Sequence, residues 1–457
     1  MHSSRLGVFL HDIDAQVVIE AARGLYGNGD EESVRMLSEL AGKPNISNSV
    51  RRYAVAASFR RGGLPEAEMV LTIAADPKVS ADVRVEAMDA LMAWEEPSNI
   101  DRLSGQYRPV QKREGLDLTQ FLSGQLVGIF NGPAKVTIKA AELVAFFHVE
   151  VAIDLLTSKV RDEGEDPDVR AACLESLFDL HDQDLADSIR SLVRDDDAAV
   201  RKVARRILAT IDPLAAIAES EYVLQGDSTD EQQQVIQMLV QMNSVKADEV
   251  LMKALQFQLM SDENIAIRLD LLEAARERGE RSLVDIAREL DNRRNPENPL
   301  GNYAECLSGG NAKQGEKVFF KNQKVNCVRC HMVNERGGNV GPNLSKVGRE
   351  KTAEYLLESI VLPSAKISPG YSTVQFLMAT GRVQSGIVKE EASGHFIVED
   401  AEGKRTTLLK EDIDEMQAGL SGMPADLVKQ LSKRQVRDLV AYLGTLEEET
   451  KRSAHVE

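Results

Sequence analysis

Asp166-Pro167-Asp168-Val169-Arg170-Ala171-Ala172-Cys173 is one copy of a pattern that recurs through the N-terminal part of the chain. A small polar turn is followed by an aliphatic residue, then often Arg, then a small or apolar residue three positions later. The pattern returns as SNSVRRYA around Arg51, SADVRVEA around Arg84 and DAAVRKVA around Arg201, with ENIAIRLDLL around Arg268 as a variant. Weaker copies centre on Val18, Ile138 and Ile236. The steps from Val18 to Arg51 and from Arg51 to Arg84 are both 33 residues. Those from Arg170 to Arg201, Ile236 and Arg268 are 31, 35 and 32. Only the step from Arg84 to Ile138, at 54, breaks the period, so an irregular insertion is expected near residues 95–130.

A period near 33 residues is that of a stacked supersecondary unit. Within VRVEAMDALMAW, Val83, Ala87, Ala90 and Leu91 recur at helical spacing. Asp or Ser ahead of each run supplies an N-cap, and Pro77, Pro167 and Pro213 punctuate the turns. A helix pair cannot bury its apolar face alone, so neighbours must stack into one elongated core. The D-x-x-V-R-x-x-A pattern resembles HEAT-type repeats, across residues 1–290.

Composition agrees with a mainly α fold. Of 457 residues, 43% are hydrophobic and only 5% aromatic, with a single Trp. Ala, Leu, Glu, Gln and Arg, the strong helix formers, abound. The net charge of −18 argues against a general nucleic-acid binder and against an anionic membrane surface. No apolar run reaches the length of a membrane span.

Residues 291–310 are rich in Asn, Pro and Gly and read as a linker. Beyond them the texture changes. NAKQGEKVFFKNQ and TAEYLLESIVLP read as helices. Strand–turn–strand signals fill about residues 371–413, predicting a small antiparallel insert. SKRQVRDLVAYLGTL returns to helix, with Val436, Leu439, Val440 and Leu443 on one stripe. The second domain therefore spans 311–447, followed by a polar tail at 448–457.

Cys327-Val328-Arg329-Cys330-His331 is the sharpest chemical signal. C-x-x-C-H is the attachment motif of a c-type haem. Two thiols one helical turn apart can reach the two vinyl groups of one porphyrin, and the next residue offers an imidazole to the iron. Half a zinc site is the first competing reading, but no second C-x-x-C or C-x-x-H completes four ligands. A thioredoxin-like pair is the second, but no βαβ context surrounds it. Cys173 sits where Ala54 and Ala87 stand in other repeats and reads as a buried small residue. Cys306 reads as a free thiol in the linker, with an intermolecular bridge as the alternative. His148 and His181 read as structural residues on helices.

The motif has company: GEKVFF before it, Gly341-Pro342-Asn343-Leu344 after it, then Ser421-Gly422-Met423-Pro424 and a final helix. This order resembles the class I cytochrome c plan. With a strand-rich insert before the Met it resembles the PVC-type haem-binding C-x-x-C-H domain. That family is often joined to HEAT-like repeats in the C-terminal parts of membrane-bound or sugar dehydrogenases. The resemblance implies one covalent haem c on Cys327 and Cys330, with His331 and Met423 as axial iron ligands and the Pro342 carbonyl on the other ring nitrogen of His331. Met416 and His395 are the alternative distal ligands. Leu344 and Tyr355 are candidates to line the pocket, and Gly315 and Phe319 to meet the Leu439–Tyr442 face.

A haem with both axial positions filled moves one electron and binds no substrate. The resemblance therefore implies an electron-transfer module fed by a dehydrogenase partner or upstream domain, on a protein-binding scaffold of repeats. A scaffold with haem as a structural or redox-sensing group is the second reading, and a haem peroxidase the third. No Ser/His/Asp arrangement, P-loop or G-x-G-x-x-G after a strand appears in the sequence, so a complete enzyme is not expected. Covalent haem implies a periplasmic or otherwise exported chain. The opening residues show no signal peptide, which leads to the expectation of a C-terminal portion of a longer exported protein or a misassigned start.

Overall fold

The computed structural model describes residues 3–447 apart from 44, 116, 182–184, 262–263, 296 and 401–402, so the polar tail expected at 448–457 lies outside the described residues. The fold is mainly α, with small antiparallel sheets toward the C-terminus. It divides into two units, Met1–Ala216 and Ile217–Glu457. The boundary expected at residue 290 thus falls inside the second unit.

In the first unit each copy of the pattern opens a helix. Ser47 accepts a hydrogen bond from Val50 N at 3.3 Å to start Asn48–Arg61, and Asp166 accepts one from Asp168 N at 2.9 Å to start Pro167–Asp179. The pattern helices Asn48–Arg61, Ala81–Met92, Ala134–Phe146, Pro167–Asp179 and Ala198–Ile211 pack one on the next in chain order. Ala54, Ala87, Cys173 and Ala204, each three residues after the arginine of its copy, are all fully buried. Only small side chains let neighbouring helices approach so closely.

At Arg84 and Arg170 the arginine of the pattern has a specific task. The last carbonyls of a helix have no partner within it. Arg84 Nε donates to Ala74 O at 2.7 Å, at the end of Leu64–Ala75. Its Nη atoms donate to Gly128 O and Asn131 O at 2.8 and 2.6 Å, at the end of Thr119–Ile129. One buried guanidinium therefore closes two helices. Arg170 Nε takes Val160 O at 3.0 Å in the same manner and pairs with Asp195 at 2.6 Å. A cation beside helix C-termini also opposes the helix dipoles. The irregular insertion folds against the unit as a loop: Tyr26 Oη donates to buried Asp101 at 2.5 Å, and the Arg113 guanidinium lies 5.1 Å from the ring centres of both Phe59 and Trp94. His148 and His181, expected on helices, instead sit just past helix ends with φ of 50° and 57°. Left-handed backbone cannot continue a helix.

In the second unit Thr229–Gln241 and Arg268–Arg278 pack together and, with Val245–Met260 and Arg281–Asn292, share one apolar core. Residues 291–310 are not a free linker. Asn, Pro and Gly make the backbone irregular, but Glu305 and Cys306 are buried. Glu305 pairs with Arg294 at 2.6 Å, and Cys306 Sγ donates to Lys433 O at 3.3 Å. Cys306 is thereby closed off from an intermolecular bridge, and burial pushes its thiol up to about 12.

Ala312–Lys321 crosses the C-terminal helix Lys433–Gly444 at Gly315, where an added Cβ would lie 1.9 Å from Asp438 O. Phe319 and Tyr442 pack beside that crossing, ring centres 5.9 Å apart. The same C-terminal helix faces the last repeat. Arg437 and Asp270, both buried, pair at 2.6 Å, and Arg434 reaches Asp270 and Glu273 at 3.0 and 2.7 Å.

A two-stranded hairpin, β1 (Met332–Val333) and β2 (Arg336–Gly337), follows the cysteine motif. The insert is a five-stranded antiparallel sheet of β3 (Ser372–Met378), β4 (Val383–Glu391), β5 (His395–Glu399), β6 (Arg405–Leu409) and β7 (Ile413–Ser421), in the order β6-β5-β4-β3-β7. Phe376, Met378, Phe396, Val398 and Leu408 form its core. The insert expected at 371–413 therefore runs on to Ser421. β7 is an edge strand whose residues are mostly exposed, so Asp414, Glu415, Gln417 and Gly419 give no alternation to read.

The Asp270–Arg437 pair gives a direct test. Asp270→Ala strands a buried guanidinium and should cost about 3–5 kcal/mol. Glu273→Ala, at a partly exposed pair, should cost no more than about 1 kcal/mol. Denaturant unfolding of the two variants measures both; equal losses would show that burial does not set the difference.

Candidate functional site

The site is built from residues 326–344. Asn326 adopts the left-handed conformation, φ 42°, and turns the chain into the one-turn helix Cys327–Cys330. His331 N closes that turn on Cys327 O at 3.0 Å. Both thiols are free and half-buried. Burial pushes the Cys327 thiol up to about 11. Asn334 and Glu335, φ 48° and 63°, then make the tight turn of the β1–β2 hairpin.

The chain next doubles back along the motif. Gly338 N donates to Val328 O at 2.9 Å, Gly341 N to Cys330 O at 2.8 Å and Leu344 N to Met332 O at 2.8 Å. This strap delivers the Pro342 carbonyl to His331 Nδ1 at 2.9 Å. Gly341 lies flat against the imidazole: a Cβ there would sit 2.8 Å from Cε1 and 2.9 Å from Nδ1. With Nδ1 held by a carbonyl, the ring proton belongs on Nδ1 and the lone pair on Nε2. Nε2 has no hydrogen-bond partner among the described residues. Burial lowers the His331 pKa, and the Pro342 contact opposes that shift in part.

The donor set suits a c-type haem: two unjoined thiols one turn apart and a neutral imidazole with one nitrogen uncommitted. The surroundings suit it too. Phe320, Leu344, Val347, Leu362 and Leu427 lie on the edge of the apolar core of this domain and stay only partly buried. These residues fit the group.

His331, Cys327, Cys330 and Pro342 are thus brought together. Met423 is half-buried, its N donating to Ser421 Oγ at 3.2 Å, just beyond β7. Of the alternatives, Met416 lies in β7 opposite Phe376, and His395 opens β5 opposite Leu409. Tyr355 lies in a polar groove with Leu300, Glu354 and Glu358, its ring between Lys351 and Lys366 at 4.8 and 6.0 Å. Sequence reasoning did not assign the turn at Asn326 or the contact of Gly341 with the ring. Asn and Gly tolerate such positions, and that tolerance was the available signal.

Residues 312–394 match the family Cytochrome c. This segment is a cytochrome c-like domain. No curated protein matches the chain. Among solved structures, the complex of CpcE and CpcF of phycocyanin lyase from Nostoc sp. PCC7120 is similar at 17% identity, covering 55% of this chain and 92% of that one with a TM-score of 0.25. Human deoxyhypusine hydroxylase in complex with glycerol is similar at 14% identity, covering 61% and 96%, with a TM-score of 0.22. Likenesses this remote say nothing of the chemistry of the cytochrome c-like domain. The matched segment stops inside the β insert, short of the C-terminal helix that packs on it.

The thiolate, not the thiol, is the nucleophile. In the haem-free chain at pH 8, Cys327 should therefore alkylate on the order of a hundredfold more slowly than in denaturant. Its rate should climb with pH up to about 11. Mass spectrometry of the Cys327 peptide after timed alkylation measures this; equal native and denatured rates would show that the thiol is not shielded.

Proposed function

We propose that this chain is a c-type cytochrome electron-transfer module on a HEAT-like, protein-binding scaffold. A cytochrome c domain supports a haem-based electron-transfer role, and such a role requires a redox partner. In this reading Cys327 and Cys330 would hold one haem c through thioether bonds. His331 is the proximal ligand and Met423 the distal one. When bound, the group supplies a one-electron couple. The observation that carries the reading is the 2.9 Å contact of His331 Nδ1 with Pro342 O, which leaves Nε2 uncommitted beside two free thiols.

The chain's own residues supply positioning. The strap from Gly338 to Leu344 fixes the imidazole plane and its tautomer, and a fixed, hydrogen-bonded imidazole is the more basic ligand. The Met423 thioether would serve as a second iron ligand, and such a ligand raises the potential. The stacked pattern helices suit an extended docking surface. The donor is read as a dehydrogenase, in a separate partner or an upstream domain. The compartment is read as periplasmic or otherwise exported. None of the described helices is long and apolar enough to cross a membrane.

The test is expression with c-type maturation, followed by denaturation and spectroscopy. Haem should stay with the unfolded chain. Cys327→Ala and Cys330→Ala should each leave a single thioether or none, and the double variant none. The oxidised wild type should show the weak far-red band of Met-to-iron ligation, absent in Met423→Ala. A chain that releases all its haem on denaturation would sink the reading.

A further inference from the structure

We infer that the β insert is a positioning device for Met423, acting through a small polar clasp at its base; this rests on the reading of Met423 as distal ligand. The segment between the helix Ala353–Val361 and the turn Leu427–Gln430 contains the whole sheet and then Met423. A flexible segment of that length would hold its Met only loosely, because closing a long loop costs entropy. The sheet removes that freedom. Ser372, the first residue of β3, pairs directly with Ser421, the last of β7. The insert therefore leaves and returns at one point, and Met423 stands two residues beyond it.

Three hydrogen bonds among three segments lock that point. Ser421 N donates to Ser364 Oγ at 3.1 Å, tying the sheet to the chain that leaves the Ala353–Val361 helix. Thr373 Oγ1 donates to Leu420 O at 2.5 Å, across a register shift between Ser372 and Val374. Met423 N donates to Ser421 Oγ at 3.2 Å. Gly419 makes the approach possible, since a Cβ there would lie 2.3 Å from Thr373 Oγ1. The turn Leu427–Gln430 beyond Met423 packs back on the Ala353–Val361 helix. One side of the Met423 loop is thus tied to the chain leaving the Ala353–Val361 helix, and the other packs on the helix itself.

The loop's hold on Met423 is read by competition. Imidazole added to the oxidised, haem-loaded full chain competes for the sixth position. Thr373→Val, Ser364→Ala and Ser421→Ala each remove one clasp bond. Each should tighten imidazole binding by about threefold to tenfold, the range expected for a single partly solvated hydrogen bond. The far-red band should weaken in parallel. Thr373→Ser restores the hydroxyl and should recover wild-type affinity; a merely structural loss would not be rescued this way. Gly419→Ala should mimic Thr373→Val. Unchanged imidazole affinity in all three clasp variants, with the wild-type band present, would overturn the inference and leave Met423 as ligand. A wild type without the band, binding imidazole as tightly as Met423→Ala, would overturn the ligand reading and the clasp with it.

Discussion

The backbone of one helix, Lys433–Gly444, is the surface on which the second unit is assembled. Val436 to Val440, Tyr442 and Leu443 are all buried, including the charged residues Arg437 and Asp438. Its start is fixed by a reciprocal cap between Ser432 and Gln435. At Asp438 its backbone is met so closely that the opposing residue can only be Gly315. The Asp438 side chain accepts from Asn311 N at 2.8 Å, and burial raises its pKa. This contact sets the height of the Ala312–Lys321 helix and so the place where the cysteine motif emerges. A shift of the crossing would move the imidazole as well as the core.

The same helix joins the domain to the last repeat through Arg437 and Asp270. Buried ion pairs of this kind are poor sources of net stability but strong penalties when mispaired. They favour one docking over its alternatives. The last helices of the Val-Arg pattern fall in one unit with the cytochrome c-like domain.

Much of this was legible. The repeated Val-Arg pattern marks real helix starts, although the cap expected from the residue ahead forms at Ser47 and Asp166 and not at Ser80 or Asp197. The cysteine motif and its Gly-Pro strap are contiguous in sequence, so their geometry follows from short-range hydrogen bonds. What stayed hidden depends on distant partners. Nothing local shows that Arg84 closes two helices, since its acceptors lie in Leu64–Ala75 and Thr119–Ile129. Residues 291–310 look like a spacer until Cys306 and Glu305 find the C-terminal helix and Arg294. β7 is invisible to hydropathy because an edge strand needs no buried face.

The direct pairing of Ser372 with Ser421 has a consequence for comparison and for descent. A branch that begins and ends at one place can lengthen, shrink or be exchanged without altering the trunk that bears it. Linear alignment, which must read through the branch, loses the trunk on the far side. The family match ends at residue 394, inside the branch. Kinship for such proteins is better traced by joining the two sides of the branch point than by reading the chain from end to end.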